Sequence, residues 1–346
     1  MLGPFFGLMF VVVFFAALLA FQDFRELKRR QNLPTWRAAF DEARTTKEPV
    51  FAGFTAFVSG RNFKVIFTQT VIVAIGALGM TVIIVSGGID LSAGSVVALA
   101  GVVGARLLSL DHPAGPATVV LATVLSGALI GAINGLVISG FRLMPFIVTL
   151  GMMGIARGAA KWLANSQTVN YDEHALINRI MDSSQAPDQL LPLPWGAWIA
   201  VALGVIMIVL LRQTVFGRHV FAIGSNEATA RLCGIRVRMN KVIIYALGGL
   251  LFGVAGLMQL SRLTLGDPTA AVGLELDMIA AVVIGGASLS GGTGSILGSM
   301  IGALIMAVLR NGSGQMGWQT YVQEIIIGIV IVLAVALDKF RQGRQA

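Results

Sequence analysis

Residues 64–110 read KVIFTQTVIVAIGALGMTVIIVSGGIDLSAGSVVALAGVVGARLLSL. Two apolar runs, 64–86 and 91–110, each approach the ~20 residues that carry a helix across a bilayer core. They meet at Gly87-Gly88-Ile89-Asp90-Leu91-Ser92-Ala93-Gly94-Ser95, where a glycine pair breaks the helix and the Asp and Ser oxygens can satisfy freed backbone groups. A membrane barrel would alternate apolar and polar residues over about ten positions, and neither run does. The unit is therefore helix, break, helix. Working outward, comparable runs fall at 4–21, 117–140, 144–164, 196–212, 242–261, 278–288, 294–310 and 320–338. The expected fold is all-α, a polytopic membrane bundle of about ten transmembrane helices. The run 278–288 is too short to cross alone, so it needs an extension toward Ser290 or is a half-helix buried in protein. The first run has no charge before it and no small-residue cleavage site before Gln22, which reads as a retained helix rather than a signal peptide.

Composition agrees. Mean hydropathy is +0.82, and 56% of residues are hydrophobic and 12% charged, against ~25% charged in an ordinary soluble domain. A soluble enzyme, a disordered tail protein and a disulfide scaffold are excluded; Cys233 is the single cysteine. The 42 glycines exceed the ~7% usual share, as suits helices that pack backbone to backbone in lipid. The net charge of +8 sits in clusters between apolar blocks, so it reads as topology, with no nucleic-acid partner expected.

Residues 212–241 hold Arg212, Arg218, Arg231, Arg236, Arg238 and Lys241 against Glu227, and the tail carries Lys339, Arg341 and Arg344. Both belong in the cytoplasm. Four spans separate them, so the assignment is self-consistent, and the acidic loop 165–195 falls outside. Residues 22–49 disobey: counting back places them outside, yet they carry Arg25, Lys28, Arg29, Arg30, Arg37, Arg44 and Lys47. Either the first helix enters the other way and 50–66 form a partial span, or 22–49 are an amphipathic insert on the outer surface. The chain thus divides into 1–61, an N-terminal helix plus this insert, a transmembrane domain at 62–338 and a cytoplasmic tail at 339–346.

No G-x-x-x-x-G-K-[ST] loop occurs and no histidine pair has metal spacing, so neither catalysis nor a bound cofactor is expected. A second break, Gly285-Gly286-Ala287-Ser288-Leu289-Ser290, repeats the G-G-x-x-L-S pattern of the first. Glycine-interrupted apolar segments in matching halves point to a translocation pathway, with Gly87, Gly88, Asp90, Ser92, Gly285, Gly286, Ser288 and Ser290 as its candidates. Tight interhelical turns are the plainer reading. Asp90 favours the pathway if it lies in hydrocarbon, where a carboxylate is expensive, and not if it lies at the cytoplasmic end. Glu275 and Asp277 carry the same ambiguity, with helix capping as the bland alternative.

The basic loop Gly217–Ile235 offers Asn226 as an N-cap, an Ala-rich turn of helix and Gly234 as its stop. Gly224, Asn226, Glu227, Ala230, Arg231 and Gly234 are its candidate docking residues. A short capped helix with no lipid to face suits another protein's groove; contact with anionic lipid is the alternative.

Taken together, Gly79-Met80-Thr81, the break at 87–95, Pro145 to Met153 with Arg157-Gly158, the loop 217–235, and Pro268-Thr269 through Asp277 to Gly294-Ser295 resemble the membrane subunits of bacterial ribose- and xylose-type ABC importers. The resemblance spans about 62–338. It implies a cobalamin-importer-like permease in the bacterial cytoplasmic (inner) membrane, paired with a second copy or a related permease chain. It further implies two cytoplasmic ATPase subunits that use the ATP, a sugar-binding protein outside, and Asn226–Gly234 as the coupling helix. Lipid surrounds the whole. The departures are the 22–49 insert and Arg310, where similar proteins often carry a small or amide residue; Arg310 either alters the pathway or snorkels. The rival reading is an ion-coupled secondary transporter with Asp90 as the coupling acid. Scarce intramembrane acids and the capped loop helix weigh against it.

Overall fold

The computed structural model describes residues 2–30, 52–109, 113–172, 176–182 and 193–343. Their helices are α1 (Leu2–Arg30), α2 (Ala52–Phe57), α3 (Gly60–Val85), α4 (Ala93–Leu108), α5 (Pro116–Phe141), α6 (Pro145–Leu163), α7 (Trp195–Gln213), α8 (Val215–Ser225), α9 (Glu227–Leu232), α10 (Val237–Leu263), α11 (Leu274–Ile284), α12 (Ile296–Gln315) and α13 (Thr320–Gly343). Each apolar run expected from the sequence is wholly or partly helical. Seven of the helices are long and apolar enough to cross a membrane, while α4 and the apolar part of α13 are shorter.

Small residues decide how the bundle closes. The most extensive helix pair is α5 against α10. On α5, Gly127, Gly131 and Gly135 recur every four residues and so share one face. Gly127 and Gly131 meet Gly253 and Gly249 of α10, and Gly135 meets Val242: a Cβ on Gly127 would lie 2.7 Å from the Cα of Gly253, one on Gly131 2.9 Å from the Cα of Gly249, and one on Gly135 2.6 Å from the Cα of Val242. The two backbones touch, which is the small-xxx-small contact that replaces hydrophobic driving force in lipid. The other sides of α10 repeat the device, with Gly248 against Gly79 of α3 and Gly256 against Val97 and Ala100 of α4. Consequently α10 and α3 form the buried centre, where Ile75, Leu78, Met80, Ile83, Tyr245 and Phe252 are enclosed.

The short run 278–288 is a half-helix. α11 has 11 residues, about 16 Å of rise, and it extends backward to Leu274 rather than toward Ser290. Gly285 caps it and Gly286 takes φ +91°, so the helix cannot run on. The chain reaches Leu274 by a non-helical descent along α4 from the two-residue antiparallel ladder of Val169–Asn170 (β1) with Leu265–Gly266 (β2). Arg157 of α6 supports the descent, its Nη1 donating to the carbonyls of Pro268 (2.9 Å) and Ala270 (2.6 Å). Non-helical backbone at membrane depth survives only when protein satisfies it in this way.

The first helix differs from expectation at its end. α1 continues beyond Phe21 to Arg30, so the charged stretch begins as helix; residues 31–49 lie outside the described residues. α1 joins the bundle by laying Phe15 on Gly312 of α12 and against Phe57 and Trp318. The backbone N–H of Phe54 donates to Asp23 (3.0 Å), so the chain leaves and returns at one place. That place adjoins the start of α3, the bundle end opposite α8 and α9. A partial span at 50–66 is not formed: α2 has six residues, and α3 starts at Gly60 with Ser59 as its N-cap.

Candidate functional site

The basic loop is built from two helices where one was expected. Thr214 caps α8, its Oγ1 accepting from Gly217 N (3.2 Å), and α8 ends at Asn226. Asn226 then caps α9, its side-chain oxygen accepting from Thr229 N (2.9 Å). Gly234 stops the turn at φ +83°, a left-handed conformation that a Cβ would strain. Ala230 is buried with Ile223 and Val237, while Leu232 projects 88% exposed. Glu227 is held by Lys241 Nζ (2.7 Å) and Arg231 Nη2 (3.0 Å). The hydrogen bond from Lys241, with help from Arg231, draws its carboxyl below the ordinary glutamate range. A depressed folded-state value gives stability that is present above the unfolded value and lost as pH falls through the folded one, so these pairs persist at neutral pH.

The two breaks meet this loop. Gly292 N donates to Val85 O (2.8 Å), joining the second break to the end of α3. Gly224, in the last turn of α8, is wedged between that same Val85 carbonyl and Gly292, and a Cβ there would overlap the carbonyl. Gly291 lies on Gly87, with a notional Cβ 2.9 Å from the Gly87 Cα. The repeat seen in the sequence is therefore a physical junction at the end of the bundle that carries α8 and α9. Of the eight break residues, Gly88, Asp90, Ser92, Gly285 and Ser288 are buried, and Gly87, Gly286 and Ser290 are exposed.

Asp90 is 1% exposed. Its Oδ1 accepts from Ser92 N (2.8 Å) and Ser92 Oγ (2.5 Å), and Oδ2 accepts from Asn134 Nδ2 of α5 (3.4 Å). Asn134 also donates to Ser92 Oγ (3.1 Å), and Thr149 of α6 donates to Ile89 O (3.2 Å). The first break is thus tied to α5 and α6 by side chains. The second is tied to α3 by backbone.

A second polar feature escaped the sequence reading. Asp277 does not cap α11: it takes a bidentate pair from Arg310 of α12, Nε to Oδ2 at 2.8 Å and Nη2 to Oδ1 at 2.9 Å. Arg310 therefore pairs instead of snorkelling. The pair lines an open cleft of about 360 Å³ with Gln69, Gln259, Arg262 and Gln323, in the half of the bundle away from α9. A lone arginine in one apolar run and acids at the edge of another are costly unless partnered, and that was the available signal. Replacing Arg310 with Met should leave the Asp277 carboxylate, 3% exposed, without its partner. The expected cost is about 2–3 kcal/mol, below the full value for a buried pair because the guanidinium is 35% exposed. The thermal midpoint in detergent should fall and should largely recover in Arg310→Met/Asp277→Leu; no recovery would show that the pair itself is not what stabilises.

This architecture, a glycine-packed bundle with a capped loop helix seated on paired breaks, agrees with what the chain's relatives are. Residues 62–335 match the family described as branched-chain amino acid transport system / permease component. The chain belongs to this permease family. The permease is 40% identical over 291 residues to the ribose import permease protein RbsC of Escherichia coli K12, covering 83% of this chain and 88% of that one. It is 35% identical over 292 residues to the L-arabinose ABC transporter permease protein AraH of Azospirillum brasilense (84% and 83% covered). It is 37% identical over 305 residues to the galactose/methyl galactoside import permease protein MglC of Escherichia coli K12 (84% and 89%). No solved structure matches it. With these relatives and its seven long apolar helices, the permease is a multi-pass protein of the bacterial inner membrane and a subunit of the sugar-importer type.

Proposed function

We propose that the permease passes a monosaccharide inward, delivered by a separate binding protein on the outer side and driven by ATP hydrolysis on a separate cytoplasmic ATPase pair, with a second permease chain completing the pathway. The observation that carries this reading is α9, a capped cytoplasmic helix fixed through Gly224 to both glycine breaks. Gly224, Asn226, Glu227, Ala230, Arg231 and Gly234 serve as the coupling element: Leu232 and the polar face dock, Ala230 anchors, and Gly224 passes displacement to the break residues. Packed interfaces switch between discrete arrangements rather than stretching, so a shift of α8 moves the ends of α3, α11 and α12 together. In this reading Gly87, Gly286 and Ser290 face the inner mouth of the pathway. Gly88, Asp90, Ser92, Gly285 and Ser288 are the hinge that supports them. The amide and charged groups of the outer cleft suit a polyhydroxylated solute, which needs donors and acceptors in equal measure.

The test is uptake into proteoliposomes holding the permease, its ATPase and its binding protein, with ribose, arabinose, galactose and leucine as solutes. ATP-dependent uptake of a sugar is expected. Uptake of leucine alone would replace the sugar assignment by the amino acid named in the family description, and gradient-driven uptake by this chain alone would establish the ion-coupled rival. In the same assay Asp90→Asn should lower uptake severalfold, since an amide that keeps its oxygen on Ser92 N–H and Oγ turns its NH₂ on Asn134 Nδ2, donor to donor, and loses that bond, a cost of about 1–3 kcal/mol. Full activity would reduce Asp90 to a turn residue.

A further inference from the structure

A pocket of about 280 Å³ opens at the cytoplasmic end of the bundle between the α5–α6 turn and the start of α10. Arg142, Arg231, Arg238 and Lys241 line it, with Glu227 as the one acidic side chain in the lining. Glu227 bonds Arg231 and Lys241 but offsets only one of the four positive charges, so the pocket stays strongly cationic, with Arg142 and Arg238 outside those pairs. Arg142 takes φ +56° in the turn, and the next helix starts immediately with Pro145 in its first turn, so the turn is short and its charge sits close to the helix ends. The surroundings are unlike those of a soluble-protein docking face. Phe141 is 76% and Met144 71% exposed, and Met239, Phe146, Ile147 and Leu150 are also bare. Phe141, Phe146, Ile147 and Leu150 lead from the pocket along the exposed faces of α5 and α6.

We propose that this pocket binds the phosphate of an anionic phospholipid, with the acyl chains lying along the exposed faces of α5 and α6. A basic recess at the headgroup level beside uncovered aromatic and aliphatic side chains fits a molecule with one anionic end and two apolar chains. An acidic protein surface would use the charge and leave Phe141, Met144 and Phe146 unaccounted for. The pocket shares Glu227 and Arg231 with α9, and Lys241 of α10 ties to the same Glu227, so a bound lipid braces the root of α9. The inference does not require the transported solute to be a sugar.

The purified full-length permease is examined by native mass spectrometry and by thermal midpoint in neutral detergent, with phosphatidylglycerol, phosphatidylcholine or glycerol 3-phosphate added. Phosphatidylglycerol should be retained and raise the midpoint, and the other two should not. In Arg142→Gln/Arg238→Gln, retention should weaken roughly thirtyfold, at about 1 kcal/mol per surface cation, whereas Arg142→Lys/Arg238→Lys and the remote Arg61→Gln should keep it. Equal retention of phosphatidylcholine overturns the proposal, and so does an unchanged phosphatidylglycerol shift in the glutamine variant. A shift reproduced by glycerol 3-phosphate assigns the pocket to a free phosphate and removes the lipid. Should the glutamine variant fail to fold, the comparison of the two phospholipids on the parent protein still decides. Loss of ATPase co-purification in that variant with phosphatidylglycerol retention intact would give the pocket to the partner protein instead.

Discussion

Gly131→Val should leave little intact permease in the membrane, and what is recovered should melt roughly 5–10 °C lower than the parent in detergent, as a loss of about 3 kcal/mol implies for a chain of this class. The new Cβ would overlap the carbonyl of Tyr245 and lie 2.9 Å from the Cα of Gly249. Both are backbone of the central helix. Overpacking a flexible side chain costs ~1–3 kcal/mol, but a helix backbone cannot turn aside, so α5 and α10 must separate along their length. Separation would also carry Asn134, one helical position from Gly135, away from Asp90. Gly151→Val on α6 is the control, because nothing lies within 4 Å of a Cβ there, and its midpoint and yield should match the parent. Comparable loss in both variants would mean that valine in a membrane helix, and not the α5–α10 contact, is responsible.

Glu227→Lys should separate ATP hydrolysis from transport without unfolding the protein. The carboxylate bonded to Lys241 at 2.7 Å and Arg231 at 3.0 Å becomes a third cation among them, placed in the first turn of α9 where positive charge also opposes the helix dipole. These pairs are partly exposed, so their loss costs little global stability; what is lost is the orientation of α9. ATP-driven uptake in the reconstituted system should fall by about 10–100-fold, the range of coupling energies between linked sites. The ATPase should keep hydrolysing. Glu227→Gln keeps size and hydrogen bonding and should fall between. Unimpaired uptake by Glu227→Lys would remove α9 from the coupling role, and an equal loss of hydrolysis would indicate failed docking rather than failed transmission.

Much of the fold was legible because a bilayer imposes one-dimensional rules. Apolar length, loop charge and glycine interruptions are properties of local sequence, and they located the spans, the basic loop and the breaks. Asn226 and Gly234 were readable for the same reason, since a cap involves only its next three or four neighbours. The α8 helix was not, because residues 215–225 mix apolar and basic positions in a loop already accounted for by charge. The continuation of α1 through residues 22–30 was not legible, because charge density marks a surface and says nothing of whether the helix beneath it continues. The G-G-x-x-L-S repeat was visible, yet its two copies differ in attachment. One is held by Asp90, Asn134 and Thr149, the other by a backbone bond to Val85.

The sequence by itself determined that this chain is a helical membrane protein with a capped helix in its basic loop and two glycine breaks, since each follows from residues near one another along the chain. The pairing of Arg310 with Asp277 across 33 residues, the meeting of Gly224 with both breaks, and the facing glycines of α5 and α10 were decided only in the tertiary structure. Each depends on how two backbones approach in space, and a glycine in a sequence carries no mark of which neighbour it will admit.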